Sequence, residues 1–156
     1  ENIRHSKGFE EFKEDIMREI LFRGQTRRYG EKVTLSGEKI KSNWVYGGIF
    51  PQNGEGDFAI IYQQNPTVEK YPVYADTVGQ YTGMKDKNGT KIFEGDIVDF
   101  PDRSDSESYG VVKYDTNETE FAIVYDSIYT GLGRQYHSRD IEVIGNIYDN
   151  PELLEE

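Results

Sequence analysis

The residues of this sequence whose types could do chemistry are few, and spacing is the first test of each. His137, Ser138 and Asp140 are the three types of a hydrolytic triad. A triad must converge in space, however, and neighbours along an extended strand point to opposite faces, so a local strand or turn accounts for them without catalysis. His5 is the second of two histidines and there is no cysteine, which excludes a histidine-rich metal centre, a thiol nucleophile and cysteine-ligated zinc. Asp86, Asn88 and Gly89 begin like a calcium loop, but that loop needs Gly at its sixth position and Glu at its twelfth, where this sequence has Lys91 and Ile97. They fit a tight hairpin better, with Asn88-Gly89 supplying two residues of positive φ. Gly47-Gly48 and Gly131-Leu132-Gly133 lack the lysine or the strand-to-helix setting of phosphate and dinucleotide loops. No catalytic site, metal or cofactor is expected.

What remains is a surface. Asp99, Asp102, Asp105 and Glu107 either gather a hard cation in a loop or form a solvated acidic face. Tyr109, Tyr114, Tyr125, Tyr129 and Tyr136 supply either contact area for a partner or cross-strand pairs inside a β core. The candidate partner-binding set is Asp99, Asp102, Asp105, Glu107, Tyr109 and Tyr114. Charge argues for it. The chain carries 29 acidic and 18 basic side chains, net -11, and residues 94–126 hold ten of the acids against two cations. Such a field repels nucleic acid, whose binding depends on Lys and Arg contacts to phosphate. The cations Arg23, Arg27, Arg28, Lys32, Lys39 and Lys41 lie among hydrophobic positions and are read as a solvated strand-and-turn face.

The elements that must position these residues are mainly strands. Residues 6–16 have helical spacing, with Phe9, Phe12 and Ile16 set among charges. Strand-like runs follow at 20–23, closed by Gly24; at 43–46, closed by Gly47-Gly48; and at 58–62, closed by Asn65-Pro66. Further strands are expected at 97–100, 109–114, 120–125 and 141–147, the last with Ile141, Val143, Gly145 and Ile147 on one side. Asn150-Pro151-Glu152 reads as a helix N-cap followed by an acidic first turn. A chain of 156 residues buries enough surface to fold without staples, and no apolar run approaches the roughly 20 residues of a membrane helix. The expected fold is mainly β: an N-terminal extension at 1–16, a β region at 17–75, an SH3-like barrel at 76–148 and a helical turn at 149–156. Residues 1–16 read in two ways. They are either translated upstream DNA ahead of Met17, because Lys13-Glu14-Asp15 can be encoded by a purine-rich ribosome-binding site, or an amphipathic helix packed on the barrel.

Three clusters together resemble the YopX family of phage and prophage proteins. They are 17–23, Met-Arg-Glu-Ile-Leu-Phe-Arg; 78–89 with 92–98, from Val78-Gly79-Gln80-Tyr81 through Asn88-Gly89 to Glu94-Gly95-Asp96-Ile97-Val98; and 141–148 with Asn150-Pro151-Glu152-Leu153. The resemblance covers residues 17 to 154 and implies a mainly β fold with an SH3-like barrel, encoded by phage or prophage DNA and placed in the cytoplasm of a bacterial host. It implies no activity and no site residues. The expectation for function is a non-enzymatic module that binds a host or phage protein through an acidic barrel surface, with homo-oligomers open. The alternatives are a nucleic-acid-related role, as a DNA mimic or weak binder, and a carboxylate-based enzyme.

Overall fold

The computed structural model describes residues 18–26, 43–50, 56–64, 66–103 and 108–155. In them the runs rich in Val, Ile, Phe and Tyr pair as antiparallel strands, as their stiff or broad side chains favour. One sheet contains β1 (Phe22–Gln25), β2 (Trp44–Ile49), β3 (Phe58–Gln64), β4 (Val68–Tyr74), β5 (Gly79–Lys85) and β6 (Lys91–Phe93), in the order β4-β3-β2-β1-β5-β6. The other contains β7 (Asp96–Asp99), β8 (Gly110–Asp115), β9 (Glu120–Tyr125), β10 (Ile128–Gly131) and β11 (Glu142–Asn146), in the order β10-β9-β8-β7-β11. Single 3₁₀ turns occupy Ala75–Thr77, Ser138–Asp140 and Pro151–Leu154.

The mainly β reading holds, but the described strands close no barrel. β5 and β6 pair onto β1 in the first sheet, and β10 and β11 end the second sheet at opposite edges. The sheets therefore part at Glu94-Gly95, inside the segment read as one barrel. Two cores follow from this division. Ile92, Val98, Phe100, Val112, Ile123, Tyr136 and Ile141 pack between the β5–β6 hairpin and the second sheet, and Ala59, Ile61 and Val73 pack among β1 to β4. The helix expected at 6–16 and the cations Arg27, Arg28, Lys32, Lys39 and Lys41 lie outside the described residues, as do Asp105 and Glu107.

Several local readings change for physical reasons. Gly47 and Gly48 do not end β2 but run inside it, because a Cβ on Gly47 would collide with the Tyr62 carbonyl oxygen and one on Gly48 with the Tyr62 ring. Gly24 is likewise inside β1, where a Cβ would stand 2.7 Å from Val73 Cγ2. The alternation read over 141–147 is broken: Val143 pairs with Val98 and Gly145 with Ile97, leaving Ile144 as the extra residue of a bulge. β4, unread in the sequence, contains Pro72, which is tolerated because β4 is an edge. At 86–89 only Gly89 takes positive φ, at +82°, so the Asn88-Gly89 pair does not form the mirror-image turn expected. Asn150 does not cap the last turn with its side chain; its Oδ1 accepts the Asn146 N–H at 3.2 Å.

The mirror-image turn occurs instead between β9 and β10. Tyr125 pairs with Ile128 across Asp126-Ser127, which have φ of +47° and +65°. The type I′ form of a two-residue hairpin requires positive φ at both positions and prefers Asn-Gly there. Replacing the pair, Asp126→Asn with Ser127→Gly, is expected to raise stability by about 1 kcal/mol, read as a higher urea midpoint at unchanged slope. A midpoint at or below that of the parent would show that this turn stores no strain.

Candidate functional site

Polar side chains concentrate where the sheets meet. Arg23 lies on β1, between β2 and β5, and is 6% exposed. Its Nη2 donates to Asp96 Oδ1 at 2.7 Å and to the Glu94 carbonyl at 3.3 Å. Asp96, which opens β7, also accepts the Phe93 N–H on Oδ2 at 2.8 Å. The guanidinium carbon stands 4.6 Å from the Trp44 ring centroid and 4.8 Å from that of Phe93. Burial raises the Asp96 carboxyl above its ordinary range, against the pull of Arg23. Arg23 Nε finds no partner among the described residues. The sequence reading of Arg23 as part of a solvated cationic face is thus corrected: the strand order puts β1 in the interior of its sheet. A cavity of about 390 Å³, lined also by Leu21, Tyr46, Lys91 and Val143, opens beside the pair.

Two further carboxylates work at the same joint. Asp149, beyond β11, accepts Gln25 Nε2 and Trp44 Nε1, each at 2.7 Å, and so ties β1 and β2 to the C-terminal segment. Asp86, in the β5–β6 turn, accepts the N–H groups of Asn88 and Thr90 on Oδ1 and that of Val143 on Oδ2, all at 2.9 Å. Its role is to form the turn and clasp it to β11. Because each of these carboxylates is occupied by the protein's own donors, the arrangement positions strands rather than moving protons. Among the described residues no group of His, Asp and Glu could hold a metal ion. His137 and Asp140 form a turn, in which the His137 N–H donates to Asp140 Oδ2 at 2.9 Å.

The candidate surface residues fall into three places. Asp99 ends β7, 3.9 Å from Arg103 Nη1, and the Arg103 guanidinium stacks 3.7 Å from the centroid of Tyr109. Asp99 and Tyr109 are therefore brought together, through Arg103. Asp102 accepts the Tyr136 hydroxyl at 2.5 Å; burial, then this bond, push the Tyr136 hydroxyl well above its ordinary value. Tyr114 is exposed elsewhere, edge-on to Phe121 at 5.3 Å, and lines a different cavity from Asp102, with Met84 and Leu132. Of the five tyrosines weighed, Tyr136 is core, while Tyr114 and Tyr129 are exposed. Sequence reading missed the β10 edge, where Ile128 and Tyr129 are 51% and 53% exposed. The signal was present as a polar Asp126-Ser127 pair followed by the alternating run Ile128-Tyr129-Thr130-Gly131.

The family model described as YopX protein matches residues 22–155, the whole span from β1 through the last 3₁₀ turn. The chain belongs to the YopX family. No curated protein matches it in sequence. A crystal structure of protein EF1440 from Enterococcus faecalis is similar over 89% of this chain and 100% of that chain, at 24% identity and a TM-score of 0.46. The span matched to the YopX family contains Arg23, Asp86, Asp96 and Asp149, so the whole joint between the sheets lies within it.

Two outcomes test the joint of this YopX chain. Arg23→Met strands a buried Asp96 and is expected to cost about 3–5 kcal/mol in urea denaturation, with much of the loss recovered when Asp96→Asn is added; equal stability of single and double variants would show the two residues uncoupled. For Asp86, burial raises the carboxyl, but the N–H groups of Val143, Thr90 and Asn88 together lower it below its ordinary 3.8. Its stabilisation is therefore complete above that value and fades as pH falls through the lower native one. Asp86→Asn is expected to cost about 2 kcal/mol at pH 7, with the gap from the parent narrowing below pH 3.8. A gap constant between neutral pH and pH 3 would assign the effect to shape rather than charge.

Proposed function

We propose that this YopX-family protein is a phage or prophage accessory protein that acts in the bacterial cytoplasm as a non-enzymatic module for binding another protein. The surface in this reading belongs to the second sheet, and the second half, where β5 to β9 and β11 share one core, is read as an SH3-like module. One observation carries the proposal. Residues 94–126, with ten acids and two cations, include β7, β8 and β9, and exposed Tyr114 and Tyr129 stand among them and on the adjoining strand. Aromatic contact area inside a charged rim is the composition of protein interfaces.

Internal bonds divide the candidate residues. Asp99 and Asp102 are engaged by Arg103 and Tyr136, so among the described candidates the open charge is that of exposed Glu118 and Asp126; Asp105 and Glu107 enter the reading from the sequence alone. A DNA-mimic form of the same reading draws on the same charge. Of the six cations that a direct nucleic-acid reading would draw on, Arg23 is committed to Asp96. Capture of a protein from a Gram-positive lysate at low salt is expected to drop at least tenfold when Asp105, Glu107 and Glu118 are changed to Lys, and to weaken with added salt. Equal capture by parent and variant would refute the acidic surface, and a captured protein released by added DNA would select the mimic.

A further inference from the structure

We propose that the free edge of β10 is a strand-addition site for an extended, basic segment of another protein. This rests on the binding-module reading and narrows it to one edge and one partner chemistry. Among the described residues the two sheets have four edge strands, and three of them are closed. β4 carries Glu69, Lys70 and Pro72. β6 is three residues long and begins at Lys91, whose Nζ bonds Glu19 at 2.8 Å. β11 is bulged, and its Val143 and Asn146 N–H groups are taken by Asp86 and Asn150. Charge, proline, shortness and bulges are the devices that keep foreign strands off a sheet edge. β10 has neither charge nor proline: residues 127–133 are Ser-Ile-Tyr-Thr-Gly-Leu-Gly.

The ladder fixes which groups are on offer. The Leu132 N–H donates to the Phe121 carbonyl, and Ile128 and Thr130 lie opposite Tyr125 and Ile123. In an antiparallel ladder, bonding alternates along each strand. Residues 128, 130 and 132 therefore bond to β9, and the N–H and C=O of Tyr129 point outward. Among the described residues none is bonded to either group.

Charge selects the occupant. Side chains of an added strand alternate between two faces. Beside Tyr129 lie a cavity of about 480 Å³ lined by Asp115, Asn117 and Glu118 and one of about 370 Å³ lined by Tyr125, Thr130, Tyr136 and the Tyr136-bonded Asp102; Tyr129 and Arg134 line both. Asp126 is exposed at the turn that opens the strand, and Arg134 is paired with Glu120 at 2.6 Å. A second copy of this chain, itself of net charge -11, would set the same carboxylates against each other, whereas a strand bearing Lys or Arg meets complementary charge.

The probe is a capped octapeptide of alternating Lys and Val, titrated into the full chain at low salt beside its Glu-Val counterpart. The expected result is binding of the Lys-Val peptide at least tenfold tighter than the Glu-Val peptide. Amide exchange at Tyr129 should slow on binding while that at Thr130 is unchanged, and Glu118→Lys with Asp126→Lys should weaken binding about tenfold. Tyr129→Pro removes the outward donor and should abolish binding; the exchange readout decides the question on the parent protein if that variant does not fold. Equal affinity for both peptides, no binding, or unaltered Tyr129 exchange would overturn the proposal, as would a dimer in the absence of peptide that Tyr129→Pro dissociates. If a lysate protein is captured through the acidic surface and Tyr129→Pro does not affect its capture, the edge proposal falls and the binding-module reading stands.

Discussion

One buried ion pair decides how this protein is assembled. Arg23 and Asp96 are 7% and 3% exposed at their side chains and 2.7 Å apart. They belong to different sheets, so neither sheet can bury its member of the pair without the other. Desolvating both ions costs several kcal/mol each, which attraction at this distance offsets only with good geometry and further bonds. Those are present: Asp96 has the Phe93 N–H, and Arg23 has the Glu94 carbonyl and two aromatic faces. The net contribution to stability is small beside the cost of removing one partner. What the pair supplies is a single allowed docking of β1 against the start of β7.

Asp149 and Asp86 extend the same logic outward. Trp44 and Gln25 reach one carboxylate from two adjacent strands, and Val143 reaches the other from the far sheet. Tyr148 adds an edge-on contact to Trp44, with ring centroids 5.7 Å apart, and a hydroxyl bond to the Asp76 carbonyl. The two apolar cores are separate, and this polar layer joins them. Apolar contacts tolerate sliding, whereas directional bonds to three carboxylates fix one relative placement of the sheets.

The class of the fold was legible because β-forming runs are local. Glu120–Tyr125 stands in the structure with the bounds read from the sequence, and a tight turn does join β5 to β6, closed from Gly89 N–H to the Asp86 carbonyl, rather than centred on Asn88-Gly89 as read. Strand order was not legible. Nothing near Arg23 in the chain signals that β1 is interior, since its neighbours β2 and β5 come from residues 44–49 and 79–85. β10 escaped notice because Asp126-Ser127 adopts the mirror-image turn without the Asn-Gly that usually marks it. The run of acids at 94–126 was legible as charge but not as geometry. Asp102 and Asp99 were visible as acids, while the side chains that engage them, Tyr136 and Arg103, were visible only once folded.

The Gln25–Asp149 bond spans 124 positions of sequence, and that distance has a meaning during synthesis. At about 5–20 residues per second, Gln25 is polymerised roughly 6–25 s before Asp149. Until then the Gln25 amide lacks this partner, while Arg23 already has Asp96 and the β2–β4 meander has its own core. Synthesis from the N-terminus thus lets the joint close stepwise, Arg23 with Asp96 first, Asp86 with Val143 next and Gln25 with Asp149 last.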